Sequence, residues 1–109
     1  MVDIEMLKYE IVERLKPLDP DQIILFGSYA YGVPNEDSDI DLCIVKPSIT
    51  SKIAEKTKIR KLLKDIKISK DILVERSDFF KEHTSDNWIN TTLYDAAHKG
   101  LLLYAKKWD

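Results

Sequence analysis

The chain has 109 residues, of which 44% are apolar and 33% charged, with a formal net charge of −2. This length predicts one domain over residues 1–109 with a modest core. The charge balance excludes a general polyanion binder, and no apolar run is long enough to span a membrane. The single cysteine, Cys43, excludes an internal disulfide, and the N-terminus lacks a signal-peptide pattern, so we expect a cytoplasmic protein.

The first predicted element is an amphipathic helix over residues 3–16. Asp3 is placed to cap its N-terminus, and Pro17 and Pro20 close the segment. The apolar side chains recur at spacings of three and four residues, as expected for one buried helix face: Ile4, Leu7, Ile11 and Leu15.

A short apolar run and a glycine-serine pair come next. Ile23–Phe26 predicts a buried strand, and Gly27 ends it and allows a sharp turn or a close approach to a ligand. Ser28 stands where a short helix can begin, and its hydroxyl can cap that helix. A helix N-terminus directly after a strand favours an anion, so we expect a phosphate site here.

The second apolar run begins with two aspartates. Alternation along a strand places Asp39 and Asp41 on one face together with Cys43, which we expect to be buried. Two carboxylates on one face repel each other, and a divalent cation such as magnesium relieves that repulsion. The alternative is that both aspartates lie at a solvated strand end and cap the preceding loop. The opposite face of this strand is apolar: Ile40, Leu42 and Ile44.

Tyr29 and Tyr31 lie between the two strands. They can stack on a nucleotide base or pack the short helix onto the sheet, and packing is the favoured interpretation.

A second long helix is predicted over residues 52–67, with Ile59, Leu62, Leu63 and Ile66 on its apolar face. Its other face is basic, which indicates either a solvated surface or a contact with phosphate, RNA or an acidic partner. The absence of interleaved aromatic residues weakens a single-strand-binding interpretation. The cations are Lys52, Lys56, Lys58, Arg60, Lys61, Lys64 and Lys67.

The last part of the chain predicts two strands and a helix. Lys70–Glu75 indicates a third strand with Asp71 near its start, where it is either functional or a solvated aspartate. After a short turn of helix capped by Ser77 or Asp78, Ser85 can begin a helix that runs to about residue 98. Residues 101–105 predict an edge strand or a docked tail.

The spacing of the glycine-serine pair and the aspartates resembles a family signature. Gly27-Ser28, ten residues and then Asp39-Ile40-Asp41 are similar to the motif of the nucleotidyltransferase superfamily related to DNA polymerase beta. The short chain resembles its minimal nucleotidyltransferase branch, the partner of HEPN-domain proteins. The position of Asp71 resembles that of the family's third carboxylate. Tyr31 is a departure, since many members have an arginine at that position in the motif.

The resemblance implies an α/β (α+β) fold with a small mixed sheet and helices mainly on one side. It also implies transfer of a nucleoside monophosphate, AMP from ATP, to a hydroxyl. Gly27 and Ser28 would bind the nucleotide together with Asp39 and Asp41. The catalytic and metal-binding residues would be Asp39, Asp41 and Asp71, holding two Mg²⁺ ions, for which Mn²⁺ can substitute.

The length of the chain leaves no room for a second domain that recognises an acceptor, so a partner, a second copy in a homo-oligomer, or a protein acceptor would complete the site. The resemblance implies a HEPN-type ribonuclease toxin, neutralised by binding or by adenylylation of its tyrosine. The alternative is a binding module that neutralises its partner by complex formation with little catalysis. The intact aspartates favour the enzyme, and Tyr31 favours the binding module. A nucleic-acid partner stays open.

Overall fold

The computed structural model describes residues 3–32, 34, 38–82 and 100–106. None of the helices in these ranges is long and apolar enough to cross a membrane. The helices are α1 (Ile4–Leu15), α2 (Ser28–Tyr31), α3 (Lys52–Leu62) and α4 (Ser77–Glu82), with a 3-10 turn at Lys16–Leu18. The strands are β1 (Gln22–Phe26), β2 (Ile40–Lys46), β3 (Lys70–Arg76) and β4 (Leu101–Ala105). The helix predicted over residues 85–98 lies outside the described residues.

The four described strands form one mixed sheet in the order β3-β2-β1-β4. β1 is antiparallel to both β2 and β4, whereas β2 and β3 are parallel. The parallel pair needs a crossover, and α3 supplies it. β4 lies at the sheet edge beside β1, which confirms the predicted edge strand. The α+β class with a mixed sheet is likewise confirmed.

The alternation predicted for β2 separates two apolar layers. Leu42 and Ile44 pack in a large cluster with α1 and α3, represented by Ile11 and Ile59. On the other side of the sheet, a smaller cluster joins α4 to the sheet: Ile24, Phe26, Cys43, Val45 and Phe80. The two long helices therefore cover one face. Cys43 is fully buried, as expected, and this burial together with the charge of Glu75 raises the pKa of its thiol to about 12.

Helix ends follow local capping chemistry at the N-termini. The Asp3 side chain accepts a hydrogen bond from the Met6 N–H at 3.2 Å, which confirms that cap, and Ser51 caps α3 through the Ala54 N–H. The C-terminus of α3 was expected at residue 67, but the helix ends at Leu62. The chain has to turn there to enter β3, and Leu63 and Ile66 remain buried within that turn.

Tyr29 is buried in the large cluster with α1 and α3. The packing interpretation is therefore confirmed for Tyr29, whose ring helps to fix α2 on the sheet. The side chain of Tyr31 lies outside the described part of the chain.

Candidate functional site

The register of the sheet brings the predicted aspartates to one end. Asp41 is the partner of Asp71 across the parallel β2–β3 pair, and Asp39 immediately precedes β2. Burial raises the pKa of the Asp41 carboxyl, and the charges of Asp71 and Asp39 raise it further. The structure therefore brings Asp39 and Asp71 each within electrostatic reach of Asp41.

Gly27 forms the wall against which Asp41 packs. On the neighbouring strand Phe26 pairs with Asp41, so the turn at Gly27 follows directly beside this carboxylate. A Cβ atom on Gly27 would lie 2.0 Å from Asp41 Oδ2, and the backbone φ of Gly27 is +76°. Both the contact and the dihedral require glycine. The sequence predicted a close approach here, and the structure shows that the neighbour is the Asp41 carboxylate.

α2 begins at Ser28, as predicted, but the expected cap by the Ser28 hydroxyl is wrong. The N-cap residue is Gly27, which has no side chain, and Ser28 is already the first helical residue. The Ser28 hydroxyl therefore does not cap α2. The first N–H groups of any helix lack partners inside the helix, so this turn presents backbone donors next to the Gly27–Asp41 contact.

The carboxylate chemistry suits a hard divalent cation. None of the ion pairs among described residues includes Asp39, Asp41 or Asp71, so no cation in this part of the chain neutralises them at ion-pair distance. The described residues form no cluster of three His, Cys, Asp or Glu side chains placed to hold a metal by themselves. Magnesium typically uses one or two carboxylates together with substrate phosphates and water, so the aspartate pair fits a metal delivered with a nucleotide.

A cavity of about 460 Å³ opens beside Asp39. Its other lining residues are Arg60, Ile68, Ser69 and Lys70. Burial lowers the pKa of Lys70, and the charge of Arg60 lowers it further. The sequence identified Arg60 only as part of a basic helix face and did not single out Lys70, because no local pattern joins α3 to the start of β3.

The predicted basic face is partly structural. Lys52 forms an ion pair with Glu75 at 2.8 Å, and Lys58 lies 3.8 Å from Glu55. The remaining exposed cations include Arg60, Lys61, Lys64 and Lys67. Ion pairs among the described residues therefore account for Lys52 and Lys58, but not for these four exposed cations.

Residues 6–95 match a family model described as "Nucleotidyltransferase domain". The chain belongs to this family. The match contains the Gly27-Ser28 pair and all three aspartates, so the nucleotidyltransferase resemblance of the sequence is confirmed. No residue role follows from the match alone.

One curated relative of this nucleotidyltransferase domain is a Methanocaldococcus jannaschii protein named "Putative protein adenylyltransferase". It is 47% identical over 54 residues, which cover 50% of this chain and 54% of the relative. The matched part thus spans about half of the relative's length.

Solved structures share the nucleotidyltransferase fold. A chain of a toxin-antitoxin complex with AMP-PNP has a TM-score of 0.66 at 22% identity, covering 92% of this chain and 74% of its own. A chain of the complex of tri-AMPylated Shewanella oneidensis HEPN toxin with MNT antitoxin has a TM-score of 0.61 at 21% identity, covering 94% and 73%. At these identities the similarity establishes the fold.

Proposed function

We propose that this nucleotidyltransferase domain transfers AMP from ATP to a hydroxyl of a protein in a metal-dependent reaction. The observation that supports this most is the packing of Asp41 against the Gly27 turn, with Asp39 and Asp71 beside it. Such a group of repelling carboxylates is unfavourable for the free protein, and a ligand that carries divalent cations removes the repulsion.

Each end of the site has a defined task in this proposal. Gly27 and Ser28 hold the triphosphate through backbone N–H groups and the hydroxyl, on the β1 side of Asp41. Asp39 and Asp41 hold two Mg²⁺ ions, which when bound neutralise the triphosphate and activate the acceptor hydroxyl. Ser28 has no described histidine or lysine as an ion-pair or hydrogen-bond partner, so it positions the nucleotide and forms no covalent adduct.

Asp71 serves the acceptor on the β3 side. The acceptor oxygen forms a bond to the α-phosphorus while the bond to pyrophosphate breaks, and the hydroxyl loses its proton. Asp71 either takes this proton or helps to hold the acceptor-side cation. The chain contributes mainly by positioning the two reactants and stabilising the developing charge.

We propose a tyrosine of a HEPN-type toxin as the acceptor, which would make the chain an antitoxin. Support comes from the fold shared with chains of toxin-antitoxin complexes, one of which contains a tri-AMPylated HEPN toxin. The name of the curated relative points in the same direction. The alternative is neutralisation by binding alone, and the presence of Tyr31 in place of the motif arginine favours it.

Transfer of label from [α-³²P]ATP distinguishes these two functions. The purified chain is incubated with Mg²⁺, labelled ATP and a HEPN-type protein encoded beside it, and label on the acceptor is located by mass spectrometry. We expect label on a tyrosine that disappears with EDTA and in Asp41→Asn. Glu82→Gln, which neutralises an exposed carboxylate at the end of α4, is the matched control. Complex formation without label transfer would establish the binding module instead.

A further inference from the structure

The cavity beside Asp39 places two cationic side chains next to the carboxylate site. Arg60 comes from α3 and Lys70 from the first position of β3, and the two charges are close enough to affect each other. The Lys70 ammonium donates hydrogen bonds to the carbonyls of Ile66 and Ile68, which fixes its position. Arg60 has no ion pair or hydrogen bond of its guanidinium with any described residue, although it shares the cavity with Asp39.

We propose that this cavity is an anion subsite that receives an acidic side chain of the protein acceptor, close to the hydroxyl that is modified. This inference rests on the proposed function. Arg60 would bind the carboxylate through two parallel N–H donors, and Ser69 offers a hydroxyl in the same cavity. Lys70 adds positive charge from its fixed position, so two cations face Asp39, the one carboxylate among the described lining residues.

The sheet order assigns the subsite to the acceptor. β2 lies between β1, which ends at the Gly27 turn, and β3, which begins with Lys70. The triphosphate is assigned to the Gly27 side, so an anion on the β3 side belongs to the second reactant. The Ile40 N–H donates to the Ser69 carbonyl at 2.8 Å and thereby holds the cavity wall directly beside Asp39.

The lining of the cavity favours a carboxylate on a protein over a strand of RNA. Single-stranded nucleic acid is usually held by aromatic rings that stack on the bases, and none of the described residues that line this cavity is aromatic. Ile68 provides the apolar contact, and the volume of about 460 Å³ accommodates a side chain.

Two peptides test the subsite by binding. One is a fluorescein-labelled peptide with a tyrosine flanked by glutamates, and the other has glutamines at those positions. Anisotropy is measured without ATP for the unmodified chain, Arg60→Ala and Lys61→Ala. Lys61 neighbours Arg60 on the same helix, is exposed and does not line the cavity, so it controls for the loss of one positive charge.

We expect Arg60→Ala to weaken binding of the glutamate peptide about fivefold or more, because it removes a charge-assisted bidentate contact. Lys61→Ala should change it by less than about twofold, as is usual for a solvated charge. In transfer assays with the same peptides, Arg60→Ala should abolish the preference for glutamate over glutamine while the affinity for AMP-PNP stays unchanged.

Several outcomes would overturn the inference. Equal losses in Arg60→Ala and Lys61→Ala would show general electrostatic attraction. A loss of AMP-PNP affinity in Arg60→Ala would assign the cavity to the triphosphate. Displacement of the peptide by a single-stranded RNA oligomer, if it depends on Arg60, would assign the cavity to RNA. Arg60-dependent peptide binding without transfer to any acceptor would instead contradict the proposed function and leave the subsite standing.

Discussion

The two ends of the parallel β2–β3 pair differ in how their carboxylates are partnered. Where the strands end, Glu75 and Glu55 are each 9% exposed and pair with lysines, Lys52–Glu75 at 2.8 Å and Lys46–Glu55 at 3.1 Å. Where the strands begin, Asp41 and Asp71 lie side by side without an ion pair among the described residues. The first arrangement is balanced by lysines among the described residues, whereas in the second Asp39 and Asp71 are exposed to solvent and only Asp41 is half-buried.

We interpret the end with lysine-paired carboxylates as contributing to stability and the end with neighbouring aspartates as contributing to function. A buried carboxylate with a lysine partner contributes to a unique packing, and its loss affects folding. An aspartate whose neighbours are aspartates opposes folding at neutral pH, and proteins retain such groups where binding or catalysis needs them. The following substitutions test whether the two ends can be changed independently.

Asp71→Asn should show the largest effect. If Asp71 serves the acceptor, transfer falls on the order of a hundredfold or more, since a positioned base or metal ligand is lost. Nucleotide affinity should stay near normal, because Gly27, Ser28 and the other aspartates remain. Single-turnover transfer and AMP-PNP calorimetry separate the two quantities, and near-normal transfer would remove Asp71 from the site.

Gly27→Ala should disturb both folding and binding. The new methyl group would overlap the Asp41 carboxylate and force a side chain into a positive-φ backbone, at a cost of about 1–3 kcal/mol plus the steric clash. AMP-PNP binding should be lost, and urea denaturation measures the stability.

Gly32→Ala is the control for adding a methyl group to a neighbouring glycine, and it should destabilise the chain less than Gly27→Ala. The backbone φ of Gly32 is −115°, and its Cβ would lie 3.0 Å from Ser28 Cα. The double variant Gly27→Ala/Asp41→Ala removes the carboxylate that clashes. It should recover part of the stability but none of the nucleotide binding. Equal stability of the single and double variants would argue against the Gly27–Asp41 contact as the cause.

Lys46→Met breaks the ion pair at the opposite end. The side chains of Lys46 and Glu55 are 13% and 11% exposed, and among the described residues the substitution leaves Glu55 with Lys58 at 3.8 Å as its one ion-pair partner. We expect a loss of about 1–3 kcal/mol in the free energy of unfolding with unchanged AMP-PNP affinity. Lys16→Met, from an exposed pair at 3.1 Å, should lose less than about 0.5 kcal/mol. A fall in nucleotide affinity in Lys46→Met would show that the ends are coupled.

Asp41→Asn should have the smallest effect on the free energy of unfolding. Unlike Gly27→Ala and Lys46→Met, it should leave that free energy unchanged or raise it slightly. Folding raises the pKa of this carboxyl above 3.8, so its stabilising contribution is largest in acid and is lost as the pH rises through the raised value. At neutral pH without metal, the variant should match or slightly exceed the unmodified chain in the free energy of unfolding. Mg²⁺ with AMP-PNP should stabilise only the unmodified chain, and thermal denaturation at several pH values checks both expectations.

Local sequence signals were sufficient for much of the fold. Alternation in 40–45 defined the two faces of β2, helical spacing defined α1, and Asp3 marked its beginning, because each signal depends on neighbours within a few residues. The same signals failed at the end of α3. The apolar spacing continues to Ile66, but the chain needs those residues to turn back into β3, and only the sheet imposes that demand.

By itself, the sequence determined the family, the glycine-serine turn and the pair of aspartates on one strand face, since these depend on residue type and short spacing. Only the tertiary structure decided that Gly27 packs on Asp41, that Asp71 stands opposite Asp41, and that Arg60 shares a cavity with Asp39. These contacts join residues 14 to 30 positions apart along the chain. Strand register and helix packing set them, and no local pattern in the chain encodes either.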